Sequence, residues 1–283
     1  MNIQTMKYRV CSLLLLCFMI VQSHALCQTD IPQERQGSRT SLTASIGVND
    51  FHQRDKYLSP HIFEGVNFAS KLAFQLQSEE CSHTIDAFFS YGALNSDVQP
   101  GTVREYVANL SYSYVHALAA TTLAGSPLRF SAGGGISSSL LFTDFNTTDE
   151  TNYTTYDQSW YWSHSLNLVL MGEYEIDAEK NLSIRLTIPA AGLVSRPANE
   201  RWMNPDNADV RDNYFNAATK GKMEYLWNSF VLFTDIDYRH SLGRNFNLFA
   251  NYRFGVVSSS KPASLLSTGA VMNNFLVGLE WKM

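Results

Sequence analysis

The side chains of this sequence best placed to do chemistry are charged groups at alternate positions of extended stretches. They are Lys71, Asp86, Glu105, Arg129, Glu173, Glu175, Arg185, Asp235, Asp237, Arg239, Arg253, Glu280 and Lys282. Cations and anions are nearly balanced in this set, which suits mutual pairing, because a charge shut away from water without a partner is costly. Two smaller groupings invite a catalytic reading. His164 beside Ser165 offers an imidazole and a hydroxyl, the parts of an acyl-transfer site. Asp235, Asp237 and His240 offer carboxylates and an imidazole that could activate water. No Cys/His set has zinc spacing, and no glycine loop precedes a helix. Gly133-Gly134-Gly135 falls inside an extended stretch, where glycine permits a bend or close packing. Neither a metal nor a cofactor is expected.

Which of these groups meet depends on the elements that carry them. Ten stretches alternate with a period of two, the mark of a strand whose side chains leave on opposite faces. One face of each is free of Asp, Glu, Lys and Arg, in a chain that is 17% charged. These faces run from Leu42 to Val48, Val66 to Leu76, Ile85 to Ala93, Tyr106 to Tyr114 and Leu128 to Phe142. They continue from Leu166 to Tyr174, Leu182 to Ile188, Phe230 to Tyr238, Phe246 to Val256 and Phe275 to Met283. A Lys or Arg facing lipid near the bilayer midplane costs roughly 2–4 kcal/mol, which accounts for so clean an exclusion. Strands of about ten to twelve residues match a tilted crossing of the hydrocarbon.

Connection lengths agree. Short turns follow strands two (Ser78 to Ser82), six (Asp177 to Lys180) and eight (Ser241 to Arg244), while long connections follow strands one, three, five, seven and nine. Outer-membrane barrels put short turns on the periplasmic side and long loops outside. The expected fold is therefore all-β: a transmembrane, antiparallel, up-and-down β-barrel of about ten strands, with eight or twelve as alternatives. A soluble sandwich or lipocalin-like barrel would show the same alternation with its apolar face inward. Outward Tyr and Trp near strand ends, and inner faces rich in Ser, Gly and Asn, favour the membrane reading.

Residues 1–25 read as an export signal, with Lys7 and Arg9 before the apolar run Val10 to Val21 and small residues at Ser23 and Ala25. Residues 26–283 are left as one domain. A net charge of −5 gives no basic footprint for nucleic acid. Cys27 and Cys81 fall on the same side of such a barrel and could pair as a disulfide.

The chain ends on Gly278, Trp281 and Met283. This ending resembles the C-terminal strand of the outer-membrane β-barrel proteins of Gram-negative bacteria, which carries glycine, two spacers, an aromatic, one spacer and a final aromatic. That resemblance implies recognition by the barrel-insertion machinery and a place in the cell outer membrane. Met283 departs from the final aromatic, and Leu276 stands where a polar residue is usual. Abundant Asn and Tyr and the long loops resemble the small barrels of Bacteroidota.

In a ten-stranded barrel the charged set faces a lumen near the size that side chains alone can fill. Crossed ion pairs are expected to plug it. Ser165 then points opposite to His164, and Asp235, Asp237 and His240 fall near the periplasmic end, away from arriving protein substrates, so no catalytic residue is expected. Function is expected in the loops Thr143 to Gln158 and Pro189 to Lys222, where Arg196, Arg201, Trp202, Tyr214 and Phe215 are candidates to meet an extracellular ligand. The reading is a non-enzymatic outer-membrane protein acting in surface binding or as an envelope or assembly accessory. A narrow, porin-like solute channel and a barrel lipase or protease are the alternatives.

Overall fold

A computed structural model describes residues 39–57, 59–98, 101–148, 154–197, 216–219, 221–225, 228–260 and 267–283. Residues 1–25, expected to be an export signal, and Cys27, Arg201, Trp202, Tyr214 and Phe215 lie outside the described residues. Eleven strands follow in chain order: β1 (Arg39–Asp55), β2 (Phe63–Gln77), β3 (Cys81–Leu94), β4 (Thr102–Leu123), β5 (Ser126–Thr148), β6 (Thr154–Glu175), β7 (Lys180–Ser195), β8 (Lys222–Tyr225), β9 (Ser229–Ser241), β10 (Phe246–Ser259) and β11 (Thr268–Lys282). A one-turn helix, α1 (Asn216–Thr219), precedes β8. Sequential neighbours from β1 to β8 pair antiparallel, β9 pairs with β7 and β10, and β11 pairs with β10 and β1 to close the ring.

Ten strands form the wall. β8 adds a short outer piece to the position of β9: Lys222 to Tyr225 pair with Val194 to Ala191 on β7, while β9 pairs with β7 only from His240↔Lys180 to Phe233↔Thr187. Pro189 sits between these two ladders and has no N–H to donate, and the register of β7 on β6 slips there. The wall therefore changes partner strand where a proline makes a rung impossible.

The faces expected to meet lipid do point outward. Ile46, Val66, Phe68, Ile85, Leu110, Ile136, Ile184, Phe275 and Val277 are all well exposed around the wall. Turn chemistry matches the hairpins. Between β4 and β5, Ala124 and Gly125 both have positive φ, at 52° and 87°, the primed turn whose twist suits two-residue hairpins. In the β6–β7 turn, Lys180 donates to Asp177 Oδ2 at 2.8 Å and holds that carboxyl below the usual carboxylate range. Both ends of the wall close on one side, where Met283 N donates to Thr40 O at 2.9 Å.

Strand length departs from expectation. β4, β5 and β6 have 22, 23 and 22 residues, about twice a bilayer crossing. The excess has a different character. Outward residues turn charged above one level, at Asp50, His52 and Arg54 on β1, Glu64 on β2, Arg104 on β4 and Asp144 on β5. Several inward neighbours turn apolar, with Phe51, Phe63, Leu94, Val103, Phe145 and Met272 buried among the polar Gln53, Asp55, Glu105 and Thr143. The alternation survives but its polarity inverts. Below the inversion the wall faces acyl chains; above it the wall faces water and covers its own apolar core.

Candidate functional site

The lumen gathers most of the candidate residues into levels set by strand register. At mid-depth, Asp235 on β9 lies opposite Arg253 on β10, and Arg253 Nε donates to Asp235 Oδ1 at 2.8 Å. Lys71, from β2, reaches across the barrel to the same oxygen at 2.9 Å. Arg253 Nη2 also donates to Asp86 Oδ1 at 3.1 Å, and Ser111 donates to Asp86 Oδ2 at 2.9 Å. The Arg253 guanidinium lies 5.3 Å and 5.2 Å from the ring centres of Phe88 and Phe233. Two carboxylates and two aromatic rings together hold the cation in place.

Nearer the periplasmic end, Arg239 bridges Glu280 at 3.3 Å and Asp237 at 3.5 Å, and lies over the Phe249 ring. Asn247 donates to Glu280 and Asn251 to Asp237, each at 2.6 Å. Gln77 donates to Glu173 at 3.4 Å. Arg129, Glu175 and Lys282, expected in the same network, stand at the periplasmic rim and enter no ion pair among the described residues. Lys282 donates to Ser241 instead.

The outer half corrects the expectation of a polar plug. Phe51, Phe63, Phe88, Leu94, Val107, Leu141, Phe145, Phe233, Val257, Met272 and Leu276 belong to one buried cluster drawn from opposite walls of the barrel. Leu276, the residue out of place against the usual C-terminal pattern, is 1% exposed and sits in this cluster. Above it, Arg196 turns inward rather than toward an outside ligand: its Nη2 donates to Asp55 Oδ1 at 2.9 Å, and Ser159 donates to Asp55 Oδ2 at 2.6 Å. Glu105 is wholly buried and accepts from Thr143 at 2.6 Å, which Gln53 also reaches at 2.9 Å. It has no ion-pair partner among the described residues.

The groupings with catalytic potential do not assemble. Ser165 is buried in the lumen, while His164 faces outward, beside Trp162, with Nε2 3.2 Å from Ala218 O of α1. Helix α1 thus lies against the outside of β6. Asp235 and Asp237 are committed to cations and amides inside the wall, and His240 leaves on the opposite face. Cys81 carries a free thiol beside Ser78. Gly278 and Trp281 take opposite faces of β11: Trp281 is exposed to the lipid side, while a Cβ on Gly278 would lie 2.0 Å from Ala44 O of β1.

A closed ring of antiparallel strands with an outward apolar belt also has counterparts among solved structures. The outer-membrane protease OmpT from Escherichia coli matches with a TM-score of 0.51 at 9% identity, over 88% of this chain and 99% of that one. The fold is that of the outer-membrane β-barrels. Neisserial surface protein A matches over 88% of this chain and all of its own, at 8% identity and a TM-score of 0.35. Ail, the attachment invasion locus protein of Yersinia pestis, matches over 86% and 99% at 7% identity and 0.33. No protein-family model matches the chain, and no curated protein matches it in sequence. The barrel sits in the outer membrane, its belt in contact with lipid.

Proposed function

We propose that this barrel is a non-enzymatic outer-membrane protein whose lumen is closed and whose work is done at its outer loops, in surface binding or as an envelope or assembly accessory. One observation carries the reading. The apolar cluster in the outer half, set on the Lys71–Asp235–Arg253–Asp86 network, joins opposite walls across the interior. A cavity of ≈ 20 Å³ lies beside that network, space for about one water molecule rather than a passing solute. A rigid wall carrying long connections on one side is a common way to build a binding surface. The residues from 196 to 221 supply the longest such segment, and an extracellular ligand would meet it there. The C-terminal strand would be read by the barrel-insertion machinery during assembly.

OmpT is a protease, and its fold is shared, so hydrolysis is the natural rival. It would need an acid and an imidazole converging where substrate arrives. Here the inward carboxylates at mid-depth are already paired, and the nearby imidazole of His240 points away from them.

Planar-bilayer recording tests the reading against the channel alternative. The purified barrel is expected to give no steady conductance above the bare membrane. Reproducible ohmic steps from the wild-type protein would overturn the closed lumen. Truncating the apolar seal, as in Phe51→Ala with Met272→Ala, is expected to introduce such steps.

A further inference from the structure

Among the described residues, one acid in the outer half of the lumen has no cation to neutralise it. Glu105 on β4 is fully buried, opposite Thr143 on β5 and Gly92 on β3. Val103 and Val107 flank it along β4, and Leu141 and Phe145 flank Thr143 along β5; all four belong to the buried apolar cluster. Thr143 Oγ1 donates to Glu105 Oε2 at 2.6 Å, while Oε1 has no hydrogen-bond partner. This level stands above the hydrocarbon, since the outward residues beside it, Arg104 and Asp144, are charged.

The elements packed around Glu105 bring it no positive charge. Asp55 from β1 adds a second negative one, and Arg196, just past β7, is bound to Asp55 at 2.9 Å. Tyr161 from β6 bonds to Ser229 of β9, and β2 contributes the Asn67 amide, which lies over Gly92. A carboxylate shut away from water without a cation is costly, and burial pushes the Glu105 carboxyl well above the ordinary range. The neutral acid therefore fits the closed lumen, and the carboxylate does not. Neither polar atom of the Asn67 amide has a partner, so water drawn toward an ionised Glu105 would find a donor and an acceptor ready.

We propose that Glu105 is a pH-sensitive latch on the outer half of the lumen. As the neutral acid it lets the apolar cluster close around it. Once its proton passes to water, the carboxylate left behind draws water in, and the walls around Val103, Val107, Leu141 and Phe145 loosen. The latch rests on the closed-lumen reading, but its test follows amide exchange rather than conductance, so failure of one is distinguishable from failure of the other.

Hydrogen–deuterium exchange of the full barrel in lipid vesicles, compared at matched pH, separates wild type from Glu105→Gln. At about pH 5, just above the ordinary glutamate range, Val103 to Val107 and Leu141 to Phe145 should exchange alike in the two proteins. As pH rises, these segments should come to exchange severalfold faster in wild type, with no such gap at the periplasmic end. Stability should follow the same course. Glu105 keeps its proton in the fold and gives it up more readily unfolded, so its contribution is intact below the ordinary glutamate range and falls as pH rises, until the folded group has ionised too. Equal exchange in both proteins at every pH would overturn the proposal, and so would a gap that does not change with pH. Thr143→Val keeps every charge but removes a hydroxyl that favours the ionised form, and should move the rise in exchange to higher pH. Should Glu105→Gln fail to fold, an unmoved rise in Thr143→Val would still count against the latch.

Discussion

Asp235→Ala is expected to lower the stability of the folded barrel by about 3–5 kcal/mol, the range for removing one partner of a buried ion pair. The magnitude follows from what remains. Asp235 is 3% exposed and accepts from Lys71 and from two nitrogens of Arg253. Its loss strands Lys71 in an interior where it cannot reach water and leaves Arg253 with Asp86 as its one carboxylate partner. Equilibrium urea unfolding in lipid vesicles, read by tryptophan fluorescence, measures the change. Glu175→Ala, at the exposed periplasmic rim, supplies the contrast and should stay within about 0.5 kcal/mol of wild type. Replacing both partners at once, Lys71→Met with Asp235→Leu, should recover much of the loss, since no orphaned charge is left in that pair. Equal effects of Asp235→Ala and Glu175→Ala would mean that the network does not hold the lumen together.

Gly278→Ala is expected to be nearly as damaging, for a reason that lies in the closing seam. Ser45 pairs with Gly278, and Gly47 with Leu276, on the two strands that shut the ring. A Cβ at Gly278 would meet Ala44 O at 2.0 Å and Ser45 Cα at 2.6 Å; one at Gly47 would meet Phe275 O at 1.8 Å. These are backbone atoms of the neighbouring strand and cannot swing aside, so the extra methyl forces the first and last strands apart. Overpacking of this kind typically costs about 1–3 kcal/mol. Here it falls on the seam that joins the first strand to the last, without which the ring stays open, so refolding yield should drop as well as stability. The test is refolding from urea into detergent with no cellular component present. A glycine serving only as a sorting mark would leave Gly278→Ala refolding normally there, with failure confined to cells. Trp281→Ala, which removes an outward side chain at the same end, should refold as wild type in detergent.

Much of the wall was legible in the sequence because a lipid solvent imposes a simple rule. An outward charge at Ile46, Phe68, Ile85 or Val277 would be penalised individually, so exclusion runs the length of each strand and reveals its face and span. The upper wall was not legible by the same rule. At Asp50, His52 and Arg54 the outward face becomes charged while Phe51 becomes buried. A search for charge-free faces therefore stops at Val48, although the strand runs on to Asp55. The inversion itself is written in the sequence and marks where water replaces hydrocarbon.

Partner choice inside the lumen was hidden for a different reason. Lys71 and Asp235 are 164 residues apart and meet only because the ring closes, so spacing along the chain carries no trace of their contact. Arg196 read as a loop residue because it follows the proline of β7, yet it folds back over the rim to Asp55. Pro189 itself was visible; that its strand continues past it, with β8 substituting for β9 as partner, depends on three strands at once.

Spin labels placed singly along β1, at positions 44, 46, 48, 50, 52 and 54 in lipid vesicles, give the most direct test of the whole account. Labels at Ala44, Ile46 and Val48 should be relaxed by oxygen, which concentrates in acyl chains, and protected from a water-soluble nickel chelate. Labels at Asp50, His52 and Arg54 should show the reverse, with the crossover between Val48 and Asp50. Nickel access at all six positions, or oxygen preference persisting to Arg54, would contradict a wall that leaves the hydrocarbon at that level.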